Sequence, residues 1–195
     1  MNRLINVVFI LIVSTFAAFG AQSENQIFID PTLKSYDSFP EIKIVNKFFV
    51  DSLRDTMRSR ADSGIVGYTH TRSKHPTAIV CRPLPTAVVG ASLEKLFVKE
   101  GIAATDRGSA TYFVRVVILA FGLKETPHFF YQTMDATIQL RIDIIVPRTA
   151  QITRGFTIDS ERSRTTFNAN HKSEEILRGA LRDALVEVLQ SLKGL

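Results

Sequence analysis

The stretch QTMDATIQLRIDIIVP constrains the fold more than any other part of the chain. Met134, Ala136, Ile138, Leu140, Ile142, Ile144 and Val146 fall at alternate positions, with Thr133, Asp135, Thr137, Gln139, Arg141 and Asp143 between them. Successive side chains of a strand point to opposite faces, so the run predicts a long strand with one face in a core and one in water. Upstream, ATYFVRVVILAFGL is apolar on nearly both faces, as a strand at the centre of a sheet requires. Downstream, AQITRGFTIDSER repeats the alternation more weakly through Ile152, Phe156 and Ile158. The linkers between the three runs suit hairpins, which predicts an antiparallel meander.

Such a sheet needs cover for its apolar face. The last segment supplies it: Ile176, Leu177, Ala180, Leu181, Ala184, Leu185, Val188, Leu189 and Leu192 form one broad helical stripe. Ser173 is placed as its N-cap, and Glu174 and Glu175 complement the positive end of the helix dipole. A second helix is expected from a cap at Thr86 to about Glu100, with Val89, Leu93, Leu96 and Phe97 on one side and Gly101 ending it. EIKIVNKFFVD alternates through Ile42, Ile44, Phe48 and Val50 and reads as the first strand, with a short second one at GIVGYTH. SKHPTAIVCRPLP, broken by three prolines, reads as a connection. The expected fold is α+β: a two-layer sandwich with a mostly antiparallel four- to five-stranded sheet and two helices packed on one face.

The N-terminus belongs to a different category. One cation, Arg3, precedes an apolar run from about Ile5 to Gly20, and Ala18 and Gly20 stand at the −3 and −1 positions of a cleavage site before Ala21. That is the pattern of a secretory signal peptide over residues 1–20, with an uncleaved membrane anchor as the rival reading. Residues 21–40, polar and with two prolines, are expected as an extended tether with a short extended piece at Ile27–Ile29, and 41–195 as a single α+β domain. Either N-terminal reading puts the bulk of the protein outside the cytosol, in the periplasm or at the membrane of the cell envelope.

Export changes how charge is read. Without the segment carrying Arg3 the chain holds 23 lysines and arginines against 19 aspartates and glutamates. A mildly basic exported domain meets anionic lipid, lipopolysaccharide or an acidic protein rather than nucleic acid; a solubilising charge is the alternative. Cys81 is the one cysteine, so no disulfide forms within the chain; its apolar setting predicts a buried, inert thiol, with pairing between chains as the alternative in an oxidising compartment.

VDSLRDTMRSRADSGIVGY concentrates charge after the first strand. Asp51, Asp55 and Asp62 each have an arginine within a few residues, so local ion pairing accounts for them without a raised pKa. Asp51, Arg54, Arg58 and Arg60 are candidate contact or loop-ordering residues, with a solvated loop pinned by ion pairs as the plainer reading. Arg54, Arg58, Arg60, Arg72 and Lys74 could track phosphates, but only Tyr68 interleaves as an aromatic, so nucleic acid is not expected. His70, His75, His128 and His171 show no metal-ligand spacing, and neither a nucleophile elbow nor a phosphate-binding glycine loop is present. No metal, cofactor or catalytic residue is therefore assigned. In PHFFY, between the two long strands, Phe129, Phe130 and Tyr131 cannot all point inward. They either fold back over the end of the core or meet a partner or a lipid surface.

A strand ending at Asp51, Arg54 soon after, a polar loop and then GIVGY resemble the YajG family of bacterial outer-membrane lipoproteins. The helix ending in KLFVKEGI, the strand led by ATYFVRVVI and the closing ILRGALRDALVEVLQSL helix fit the same pattern, from roughly Ile27 to Leu192. The chain is similar, more distantly, to accessory lipoproteins of envelope lipid transport and lipopolysaccharide assembly. The resemblance implies an exported, envelope-associated domain without established enzymatic activity. The sequence departs from those lipoproteins in having no cysteine in its signal region, so anchoring through a lipidated cysteine is not expected. The function expected is a non-enzymatic binding or accessory module, assisting an envelope transport or assembly complex. The alternatives are a small periplasmic, hydrolase-like enzyme and a subunit docking through an open sheet edge.

Overall fold

In the computed structural model, residues 26–36, 39–40, 42–57, 64–69, 76–166 and 172–195 are described. They form β1 (Gln26–Ile29), β2 (Phe48–Asp55), β3 (Ile65–Thr69), β4 (Thr77–Cys81), α1 (Pro85–Lys99), β5 (Tyr112–Pro127), β6 (Gln132–Val146), β7 (Gln151–Thr166) and α2 (Ser173–Leu192). The fold is α+β with mixed sheets. A four-stranded sheet runs β2-β5-β6-β7, with β2 parallel to β5 and the rest antiparallel. A three-stranded sheet runs β1-β4-β3, with β1 parallel and β3 antiparallel to β4.

The predicted meander is β5-β6-β7. Met134, Ala136, Ile138, Leu140, Ile142 and Ile144 of β6 are all fully buried, and the nine-residue stripe of α2 is buried with them. Both helices lie on this face. Phe48 pairs with Tyr112 two positions before Val114, in the inward row of β5, and its ring meets Phe97 of α1 with centroids 5.9 Å apart. Across the sheet, Ser160 lies opposite Ile138 and donates its hydroxyl to the Ala180 carbonyl of α2 at 2.9 Å. The register shift between Ile118 and Ala120 keeps the inward rows of β5 and β6 in phase, so that Phe121 and Leu123 lie opposite Ile138 and Ala136.

Three local expectations change. TAIVC is not a connection but β4, the central strand of the second sheet, with all five residues buried. Its prolines, Pro76, Pro83 and Pro85, flank the strand, and Pro85 opens α1, where its missing N–H costs nothing. Thr86 therefore sits inside the first turn of α1, and Ser173 is the first helical residue of α2, after Lys172. Gly101 does follow α1, at φ +66. The first long strand starts at Phe48, not near Ile42, because its partner starts only at Tyr112: the amides of Thr111 and Tyr112 donate to the Lys47 carbonyl at 2.9 and 3.1 Å.

Over its described residues, the stretch expected as a tether is part of the fold. β1 pairs with β4, and Leu33 and Phe39 are buried in the core. Arg178 of α2 clasps the segment, Nε to the Thr32 carbonyl at 3.0 Å and Nη2 to the Asp30 carbonyl at 2.9 Å, while also pairing with Glu174. Residues 1–20 lie outside the described part of the chain.

Candidate functional site: the β5–β6 tip and the edge at Asp51

The two longest inner strands end in a four-residue turn, His128 to Tyr131, closed by the His128 amide donating to the Tyr131 carbonyl at 2.8 Å. The His128 and Tyr131 rings lie against each other, tilted by 30° with centroids 4.5 Å apart, and His128 Nε2 lies 3.3 Å from Thr133 Oγ1. Between them Phe129 and Phe130 meet edge to face at 4.6 Å and 86°, and are 92% and 79% exposed. The fold-back reading is thus excluded: neither ring covers the core. A buttressed turn presents two phenyl groups to solvent, the burial of which would each release on the order of 2 kcal/mol.

Asp51 and Arg54 lie within β2 rather than in a loop. The register shift between Val50 and Ser52 falls at Asp51. Its carboxylate receives Arg107 Nη2 at 2.7 Å, and the same guanidinium lies over the Phe113 ring at 4.8 Å. Phe113 in turn meets Phe49 edge-on at 6.2 Å. Arg107 belongs to a tight turn in which the Ser109 amide donates to Asp106 Oδ1 at 2.9 Å; hydrogen bonds from the Ser109 and Gly108 amides hold the Asp106 carboxyl below the usual carboxylate range. Asp51 is thus tied to this turn through Arg107 and not to a neighbouring arginine. Nothing local in the sequence signals a partner so far along the chain. Arg54 is exposed and pairs with Val117 on the open face. Arg58 and Arg60 lie outside the described residues, as do His70, His75 and His171.

These candidates do not converge. Asp51 is level with Val114 and Arg115, while the tip follows Pro127; at about 3.3 Å per residue, roughly 40 Å of β5 separates them. Beside β2 a shallow groove of about 250 Å³ is walled by Phe48, Phe49, Val50, Phe97 and Val98, with Glu94 its one ionisable lining residue. Among the described residues no group of three or more histidine, cysteine, aspartate or glutamate side chains could hold a metal ion, and no helix is long and apolar enough to cross a membrane. Cys81 is fully buried, and burial pushes its thiol up to about 12.

Neither a family model nor a curated protein matches the sequence. Solved structures align with the chain. Protein XCC0632 from Xanthomonas campestris, of the family model DUF330, aligns with a TM-score of 0.56 at 14% identity, over 87% of this chain and 95% of that one. A minor lipoprotein from Acinetobacter baumannii gives a TM-score of 0.46 at 12% identity, over 77% of this chain and 92% of its own. The first of these places the chain in the same α+β architecture as XCC0632.

Proposed function

We propose that the protein is a non-enzymatic, exported, envelope-associated binding or accessory module whose contact element is the β5–β6 tip. The observation that carries this reading is the exposure of Phe129 and Phe130 on a turn closed by a hydrogen bond and a ring contact. The apolar N-terminal run supports export, and the resemblance to YajG-like lipoproteins belongs to the same proposal. Asp51 serves the module by ordering the 105–109 turn, and Arg54 presents a cation on the open sheet face. The partner is an envelope protein complex or a lipid surface. The test is fractionation of cells producing wild-type protein or the Phe129→Ser, Phe130→Ser double variant. The reading predicts weaker envelope association of a variant with native circular dichroism; unchanged fractionation removes it.

A further inference from the structure

The chemistry of the tip selects between those partners. From Thr126 to Thr133 the chain reads TPHFFYQT, without one aspartate, glutamate, lysine or arginine. The uncharged zone extends sideways over Thr165 and Thr166 of β7, opposite Thr133 and Gln132, and is bounded there by the exposed Arg164, opposite Met134. The first exposed charge down the hairpin is Lys124, cross-strand from Asp135. Between that level and the aromatic pair stand Glu125, 8% exposed and opposite Met134, then the uncharged ladder pairs Thr126–Thr133 and Pro127–Gln132, and the turn. At about 3.3 Å per residue the charge-free zone is roughly 10 Å deep. That matches the depth of about 5–10 Å to which apolar elements sink into the boundary between headgroups and acyl chains. The layering is also that of an interfacial element: phenyl groups outermost, then tyrosine, histidine and threonine groups that hydrogen-bond at the headgroup level.

We infer that the β5–β6 tip inserts into a lipid bilayer interface, with Phe129 and Phe130 among the upper acyl chains and the Thr126–Thr133 level among the headgroups. This rests on the tip being the contact element and names a membrane as what it contacts. Insertion needs no anionic headgroup, since the inserted part carries no lysine or arginine.

The chain contains no tryptophan, so Phe130→Trp places a single reporter in the full-length protein. Val45→Trp is the control. Val45 is 93% exposed and precedes Lys47, whose carbonyl pairs at the opposite end of β5 from the tip. With phosphatidylcholine vesicles the inference predicts that the fluorescence of Phe130→Trp shifts to the blue and is quenched by brominated acyl chains, while that of Val45→Trp does neither. Adding Phe129→Ser to Phe130→Trp should reduce the shift. Tip emission that stays aqueous overturns the inference, whether or not the vesicles bind the chain through another segment. If that happens while the double serine variant still loses envelope association, the tip contacts a protein and the contact reading stands. If both measurements are null, both readings fall.

Discussion

Gly67 and Leu123 meet backbone to backbone: a Cβ added at Gly67 would fall 2.4 Å from the Leu123 carbonyl oxygen. The contact is nearly reciprocal, since a Cβ at Gly122 would lie 3.0 Å from the Val66 carbonyl oxygen. Two glycines thus let β3 of one sheet lie against β5 of the other, beyond the point where β2 stops pairing at Ile118. Gly67→Ala is expected to destabilise the protein by about 1–3 kcal/mol, since backbone cannot swing away as a side chain would. Gly122→Ala should cost less. The urea midpoint, at unchanged slope, measures both.

The Asp51–Arg107 pair gives a second prediction. Arg107 is mostly exposed, so its ion pair is weak by itself, but the ring contact to Phe113 adds to it. Arg107→Ala should cost about 1 kcal/mol. Arg107→Lys should recover only part, because an ammonium keeps the charge but loses the planar stack. A double-mutant cycle with Asp51→Asn should show coupling that shrinks as salt is raised.

Arg178 ties the N-terminal segment to α2 through two backbone carbonyls. Arg178→Ala should destabilise by about 1.5–3 kcal/mol. The loss should be local first, with faster hydrogen exchange at the Arg82 amide, which donates to the Ile29 carbonyl, before the amides of β6 respond.

Cys81 should behave as a buried thiol. Iodoacetamide at mildly alkaline pH should label it only in denaturant, because the folded thiol ionises near 12 rather than 9.0. The linkage has a definite sign. Above 9.0 the unfolded chain releases this proton while the folded chain keeps it, so the contribution of the group is whole below that pH and is lost as pH rises towards 12. Cys81→Ala should flatten that alkaline decline in stability.

Where periodicity is strong the sequence reveals the structure. The α2 stripe is buried residue for residue, as is the alternating row of β6 from Met134 to Ile144, because one face of each meets the same core; Val146 is only half-buried, and Asp143 of the opposite row is buried as well. β4 escapes such reading: with both faces covered it shows no alternation, and prolines at its borders look like interruptions. β1 escapes because its partner is far downstream and parallel, a pairing with no local mark. At the candidate site, the difficulty of burying PHFFY was visible, but the direction of Phe129 and Phe130 depends on the four-residue turn and the His128–Tyr131 ring contact. The link from Asp51 to Arg107 depends on how β2 and β5 align, which only the folded sheet defines.

The most direct measurement of the central claim is site-specific photocrosslinking in intact cells. A benzophenone side chain at Phe130 should crosslink to an envelope component, whether lipid or protein, while the same group at Val45 should not. Crosslinking equal at the two positions, or none at Phe130 in a folded and exported protein, would contradict the account.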